Sequence, residues 1–141
     1  DAYAKLFEME HGLRDFIERT LETHFKTKDW WNKAKIDQRI KDDVSEKQAD
    51  RTGLWVDDLE PTSILRFVEF SHYRTIIMNN QGAFRSILGP RERPNNRFVG
   101  SLSRLEILRN RIGHVNTLSD DNLHDFYADT KVVLAAIQPP T

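Results

Sequence analysis

The sequence predicts an all-α fold, a helical bundle of four main helices plus short helices. Apolar residues recur at three- and four-residue steps through most of the chain, which is the spacing of helices with one buried face. The β-branched runs are short and lack flanking hairpin turns, so no strand is expected. With 141 residues, 38% hydrophobic and 30% charged, the chain is expected to form a single domain, residues 1–141, around one core.

The first half of the chain predicts two helices of different character. The first should run over about residues 2–25, with an apolar stripe of Leu6, Met9, Leu13, Phe16, Ile17, Leu21 and Phe25. A second, more polar helix should run over about residues 29–51 and pack on one side only. It begins with Trp30-Trp31, for which a packing role is favoured over stacking on bases or anchoring a partner.

The middle of the chain predicts an extended connection and then the most buried helix. Residues 54–61 should be extended, and Thr62 or Ser63 could cap the next helix. Residues 64–78 are the densest apolar segment, which favours a helix buried on most sides. Within it, His72 is interpreted as a hydrogen-bonded core histidine rather than a ligand.

The last third of the chain predicts a short helix, a loop and two long helices. The short helix should cover residues 81–88, and two prolines and two asparagines enforce a loop up to residue 96. The next helix should run over about residues 96–112, with Gly113 as its C-terminal stop. Ser119 is a good N-cap for the last helix, whose first turn is acidic.

The charge distribution limits how the chain could bind nucleic acid. The formal net charge is -1, so any contact with RNA must come from a local patch. Residues 85–111 contain seven arginines against two glutamates. The candidate RNA-binding residues of this run are Arg91, Arg93, Arg97, Arg104 and Arg111. The alternative for Arg91 and Arg93 is that they only solvate a proline-rich loop.

Several classes of protein are disfavoured by what the sequence lacks. Without cysteine there is no disulfide or thiolate metal site, and no histidine motif has metal-ligand spacing. We therefore expect no metal and no cofactor. Acidic clusters such as Asp57-Asp58 could bind a cation, but acidic residues are also common in turns and helix caps, which accounts for these clusters without a metal. No apolar run reaches about 18 residues, so we expect no membrane span and a cytoplasmic location. The abrupt start at Asp1, inside a helical pattern, suggests a fragment of a larger protein.

One short segment, residues 109–114, carries side chains suited to phosphodiester chemistry. Arg109 offers a planar charged fork for phosphate oxygens, and His114 can exchange protons near neutrality. In an undistorted helix Asn110 and His114 share a face, whereas Arg109 points roughly 140° away from His114. Gly113 could let the chain leave the helix and bring the two groups together, or a second subunit could complete the site.

The pattern Arg109-Asn110-x-x-x-His114, between the last two long helices of an all-α bundle, resembles the R-x4-6-H signature of HEPN domains. These domains occur in toxins, antiviral effectors and RNA-processing proteins. The upstream segment with Phe70 and Tyr73 is also similar to the buried helix of the Swt-type branch of that superfamily. The resemblance could cover most of the chain.

The resemblance implies a metal-independent endoribonuclease that acts as a homodimer, with motifs from two protomers facing a shared cleft. His114 would then be the general base or acid, and Arg109 would hold the scissile phosphate. Asn110 would orient the phosphate or the histidine. The product would be a 2',3'-cyclic phosphate, and DNA would be spared because it lacks the 2'-hydroxyl. Arg111 would be an extra phosphate contact without support from the family.

Two other interpretations stay open at this point. Cations in the last turn of a helix interact favourably with its dipole, which explains the arginines without catalysis. The domain could then be a non-catalytic HEPN dimerisation or RNA-binding module of a larger RNA-processing, toxin–antitoxin or antiviral defence protein. If the motif is accidental, a helical adaptor unrelated to RNA would follow.

Overall fold

The structure, a computed structural model, describes residues 2–52, 63–90, 96–113 and 119–138. Within these ranges the fold is all-α, as the sequence predicts, and no strand occurs. Two 3₁₀ turns, Trp30–Asn32 and Ile64–Phe67, interrupt the series of α-helices. The helices are α1 (Ala2–Phe25), α2 (Gln38–Thr52), α3 (Phe70–Asn79), α4 (Arg85–Leu88), α5 (Asn96–Gly113) and α6 (Asp120–Ile137). Four of them have 15 residues or more.

The core lies between α1, α5 and α6, with α3 packed against α5. Five residues of the predicted α1 stripe are buried, and Leu6 and Phe25 are partly buried against the core. Met9, Leu13 and Ile17 have no exposed surface. Hydrophobic burial of this kind is the main force that holds such a bundle together. The bounds of α1 match the predicted helix.

Gly12 lies where α1 packs against α6. A Cβ atom at this position would lie 3.2 Å from Ile137 Cδ1 and 4.0 Å from Leu134 Cδ2. The glycine therefore permits close helix packing and does not interrupt α1, which continues to Phe25.

The prediction of one helix over residues 29–51 is wrong. A 3₁₀ turn buries Trp30, with 2% of its surface exposed, and α2 begins only at Gln38. The reason is a tertiary contact: Asn80 Oδ1 accepts from the backbone N–H of Lys35 at 2.9 Å, and Asn80 Nδ2 donates to Lys35 O at 3.0 Å. The backbone between the two elements is thus paired with a distant side chain instead of with a helical turn.

The prediction of one helix over residues 64–78 is also wrong. Ser63 Oγ accepts from Leu65 N at 3.2 Å and caps a 3₁₀ turn, after which Val68 is extended, with φ -91° and ψ 131°. Only then does α3 begin, at Phe70. This break lets Leu65 and Val68 both reach the core, with 0% and 5% exposed.

His72 differs from its predicted environment. It is half-buried near the start of α3, and its Nδ1 atom is buried without a hydrogen-bond partner among the residues that the structure describes. The expected hydrogen bond is therefore not found at that atom.

The remaining boundaries follow the sequence closely. The short helix is shorter than predicted, because turns occupy residues 80–84 before α4. Gly89, with φ 72°, ends α4 in a backbone conformation that glycine adopts without strain. Ser119 Oγ accepts from Asn122 N at 3.1 Å and caps α6 as predicted. The predicted extended segment, residues 54–61, lies outside the described residues.

Candidate functional site

An open cleft of about 540 Å³ lies where α1, the segment before α3, and α5 meet. We call it the Arg109 cleft. It is lined by Glu10, Arg14, Lys47, Arg66, Val68, Glu69, Phe70, Ser71, Tyr73, Glu106, Arg109 and Asn110. Two residues of the predicted catalytic motif, Arg109 and Asn110, therefore share one concave surface.

Arg109 is fixed along one edge of its guanidinium group. Its Nε donates to Glu10 Oε1 at 2.5 Å, and its Cζ lies 5.8 Å from the centroid of the Phe70 ring, within cation–π range. The side chain is 42% exposed. Its two terminal nitrogens have no hydrogen-bond partner in the described part of the chain. The edge that suits a phosphate is thus free on the cleft side.

Arg14 is held in the cleft by a buried tyrosine. The Tyr73 hydroxyl accepts from Arg14 Nε at 3.2 Å and donates to Leu65 O at 3.1 Å. Burial raises the pKa of Tyr73, although the hydrogen bond from Arg14 acts in the opposite direction. The hydroxyl therefore stays protonated at neutral pH and keeps both contacts.

Other acidic and basic groups of the Arg109 cleft are mostly paired. Lys47 Nζ lies 3.0 Å from Asp43 Oδ2 and 3.3 Å from Glu69 Oε1. Burial lowers the pKa of Lys47, but its hydrogen bonds to these two carboxylates outweigh burial and raise it. Glu106 accepts from Arg74 at 2.8 and 3.4 Å.

Arg66 differs from these paired residues. It is exposed on the wall of the Arg109 cleft and has no ion pair among the residues that the structure describes. With Arg14 and the free edge of Arg109, it makes three guanidinium groups that a bound anion could contact.

The other predicted site residues divide between described and undescribed parts of the chain. His114, Arg91 and Arg93 lie outside the described residues, as does the side chain of Arg111. The meeting of Arg109 with the imidazole of His114 stays a prediction.

The described arginines of the basic run do not share one patch with Arg109. Arg97 is exposed on α5. Arg104 binds Asp129 with two hydrogen bonds, of 3.0 and 2.8 Å, which raise the pKa of Arg104. Arg85 lines a different cleft. A run of charge along the sequence is thus distributed over several surfaces of the bundle.

Sequence reasoning missed four charged residues that hold or extend the cleft, namely Glu10, Arg14, Lys47 and Arg66. Glu10 is 99 positions from its partner Arg109. The available signal was local: Glu10 and Arg14 are four residues apart on the polar face of α1 and so project the same way. This spacing is common on helix surfaces and indicates no particular partner.

The Swt1-like HEPN family matches residues 5–138 of the chain. Because this match covers nearly the whole chain, the protein belongs to the Swt1-like HEPN family, and the resemblance to the Swt-type branch is confirmed. No curated protein and no solved structure matches the chain.

Neither a membrane-spanning helix nor a metal-binding cluster occurs in the described ranges. None of the helices there is long and apolar enough to cross a membrane. Those ranges also contain no group of three or more histidine or acidic side chains that could hold a metal ion.

Proposed function

We propose that this domain is a metal-independent, cytoplasmic endoribonuclease in which Arg109 binds the scissile phosphate. The observation that carries the proposal is the geometry of Arg109: Glu10 fixes its Nε edge, and its terminal nitrogens are free beside Asn110 in an open cleft. Membership of the HEPN family, whose domains are often ribonucleases, supports it.

In the proposed reaction the chain itself supplies the charge and the proton transfers. The terminal nitrogens of Arg109 donate to two non-bridging phosphate oxygens and stabilise the negative charge that develops on them. Asn110 orients the same phosphate through its side-chain amide. His114 accepts the proton of the ribose 2'-hydroxyl, whose oxygen bonds to phosphorus as the bond to the 5' oxygen breaks. The protonated imidazole of the second copy of the motif donates a proton to the leaving 5' oxygen, and a 2',3'-cyclic phosphate remains.

The proposal includes a homodimer in which two copies of the motif face one cleft. It is supported by two aromatic residues on α1, Tyr3 and Phe7, which are 59% and 68% exposed. With Glu10 they follow a spacing of four and three residues, so all three lie on one face of α1. An exposed aromatic surface on the face of α1 that also carries Glu10 suits a second protomer.

The alternative is a non-catalytic HEPN module for dimerisation or RNA binding within a larger RNA-processing, toxin–antitoxin or antiviral defence protein. One observation favours the dimerisation form of this module: three carboxylates, Glu10, Glu69 and Glu106, line the Arg109 cleft. Each is paired with a cation, namely Arg109, Lys47 or Arg74, and this neutralisation leaves less positive charge for RNA than a lining of cations alone would.

The test is RNA cleavage in excess EDTA by wild type, Arg109→Ala, His114→Ala and the matched control Arg39→Ala, which removes an exposed arginine of α2. Wild type and the control should cleave RNA but not 2'-O-methyl RNA, and mass spectrometry should find 2',3'-cyclic phosphate ends. The two motif variants should lose roughly 100- to 1,000-fold in rate. Equal cleavage by all four proteins, or cleavage only with added metal, contradicts the assignment. Intact RNA with every protein favours the non-catalytic module.

A further inference from the structure

A second cleft, of about 440 Å³, lies where the end of α1, the segment after Trp30–Asn32 and the end of α3 meet. We call it the distal cleft. Its wall carries His24, Lys33, Lys35, Gln81 and Arg85. No carboxylate belongs to its lining in the described part of the chain. The described lining is thus positively charged in a chain with nearly equal numbers of acidic and basic residues, 22 and 21.

The cations of the distal cleft are not used within the fold. Lys33, Lys35 and Arg85 are exposed and make no ion pair with any described residue. One hydrogen bond joins a lining residue to a carboxylate, from Asn79 Nδ2 to Asp37 Oδ1 at 3.1 Å. The positive charge thus faces solvent without a partner, unlike that of Lys47 in the Arg109 cleft.

The concave surface continues beyond the distal cleft. An adjoining space of about 350 Å³ is lined by Arg19, Thr20, Thr23, His24 and Ala83, again without a carboxylate among the described residues. His24 and Ala83 border both spaces. Hydroxyl and cationic groups side by side suit successive phosphates of a chain better than one compact anion.

The walls of the distal cleft are held in place by a buried amide. Asn80 is 8% exposed and bonds both the N–H and the C=O of Lys35, at 2.9 and 3.0 Å. Its Nδ2 also donates to Ile76 O at 2.8 Å. One side chain therefore ties the segment that carries Lys33 and Lys35 to the end of α3, so the cleft exists before any ligand binds.

The distal cleft is separate from the Arg109 cleft. Glu10 and His24, which line the two clefts, are 14 residues apart on α1. At 1.5 Å per residue this spacing is about 21 Å along the helix axis. A ligand that reached both clefts would have to be an extended chain.

We propose that the distal cleft binds the phosphates of single-stranded RNA away from the cleavage site. Lys33, Lys35 and Arg85 donate to phosphate oxygens, and Gln81 and the threonine hydroxyls donate to neighbouring oxygens. The inference rests on the proposed function only for the choice of RNA as the anionic ligand.

The experiment measures binding of a fluorescent 2'-O-methyl RNA oligonucleotide by anisotropy at several salt concentrations, with no cleavage required. Lys35→Gln/Arg85→Gln is compared with Lys131→Glu, which changes the net charge equally through an exposed lysine of α6. The double variant should bind about tenfold more weakly. Its slope of log affinity against log salt should be shallower by about 1.4, since each phosphate contact contributes about 0.7 for a single strand. The control should match wild type.

Several outcomes overturn the inference. Equal affinity and salt slope for both variants and wild type would do so, as would absence of RNA binding by wild type. Loss of AMP binding in the double variant, with RNA binding unchanged, would assign the cleft to small phosphates instead. Failure of the proposed function is distinguishable, because Arg109→Ala would then cleave like wild type whatever the distal cleft binds. Circular dichroism establishes that each variant is folded.

Discussion

Arg109 shows how a single side chain can be both anchored and available. Its Nε is bound to Glu10 and its plane lies near Phe70, while the terminal nitrogens remain free on the cleft side. An arginine fixed at one edge loses less conformational entropy when a phosphate binds at the other. Glu10 is therefore a positioning residue in the proposed reaction.

Removing the Glu10 anchor should weaken catalysis. We expect Glu10→Ala to lower kcat/KM for RNA cleavage by about tenfold or more, because a charged hydrogen bond contributes roughly 1.5–3 kcal/mol. Glu10→Gln keeps an acceptor for Arg109 Nε and should recover part of the loss. Steady-state kinetics on a defined RNA measures both. Glu8→Ala, which removes an exposed carboxylate of α1 outside the cleft, is the matched control. Equal rates for Glu10→Ala and Glu8→Ala would contradict a positioning role.

Glu18 on α1 illustrates a carboxylate in an unfavourable place. Burial raises its pKa, with smaller contributions from Glu22 and Asp15, although a hydrogen bond from Ser63 lowers it. Because the folded pKa exceeds the unfolded one, the contribution of Glu18 to stability is fully present below the ordinary pKa. It is lost as the pH rises through the folded value.

Glu18→Gln should consequently stabilise the protein at pH 7, since glutamine keeps an acceptor for Ser63 without the buried charge. The increase in the free energy of unfolding should become smaller as the pH falls below the ordinary pKa of glutamate, about 4.3. Urea unfolding at both pH values measures the difference. Glu46→Gln, at an exposed position of α2, is the comparison. A gain that does not depend on pH would exclude the charge as its cause.

At the scale of elements, the ends of the long helices could be predicted, whereas the internal breaks could not. Ser119 caps α6 through local chemistry that the sequence reveals, and α5 is described up to Gly113, the residue predicted to stop it. The breaks before α2 and α3 depend on contacts between distant residues, such as Asn80 with Lys35. Neither break contains the glycine or proline that would have indicated it.

The packing of α1 on α6 leaves little room for a side chain at Gly12. Gly12→Leu should lower the free energy of unfolding by about 1–3 kcal/mol, because its side chain would collide with Ile137 and Leu134. Gly82 lies in a turn, and a Cβ atom there would have nothing within 4 Å. Gly82→Ala should therefore raise stability by about 0.4–1 kcal/mol through the unfolded state.

Denaturant unfolding of the two glycine variants measures both effects. Their opposite signs are the informative result, since a general intolerance of glycine replacement would destabilise both. An unchanged free energy of unfolding for Gly12→Leu would mean that α1 and α6 separate easily, contrary to the close contact expected with Ile137.

The candidate site likewise combines residues that a short sequence pattern identifies with residues that only the fold brings together. Arg109 and Asn110 were identified from a six-residue pattern, and both line the cleft. Glu10 and Arg14 were missed because only the packing of α1 against the other elements brings them there. Local sequence thus identified the group that we propose for phosphate binding, whereas the groups that hold it in place depend on the fold.

At the scale of the whole molecule, the chain is nearly neutral, but unpaired cations line two separate clefts. The Arg109 cleft mixes cations with carboxylates, and the distal cleft has no carboxylate in its described lining. Affinity for a long RNA would then come mainly from the distal cleft, and chemistry from the Arg109 cleft. Such an arrangement predicts that binding and cleavage respond differently to the same change in salt concentration.

The proposed homodimer would bury exposed apolar surface of α1. Phe7 is 68% exposed, and burying it against a second protomer would remove apolar surface from water next to Glu10. Phe7→Glu should convert a dimer into a monomer in sedimentation velocity experiments. It should also abolish most RNA cleavage, because each active site needs both protomers, while RNA binding at the distal cleft stays within about twofold of wild type.

Tyr127→Glu is the control for Phe7→Glu, since Tyr127 is also exposed, at 41%, but lies on α6. It should leave the dimer and the cleavage intact, because Tyr127 on α6 does not line the Arg109 cleft. Dissociation by Tyr127→Glu with no effect of Phe7→Glu would place the contact on α6 and separate it from the cleft. A wild-type monomer that cleaves RNA would contradict the shared active site itself, since one protomer would then suffice for the chemistry.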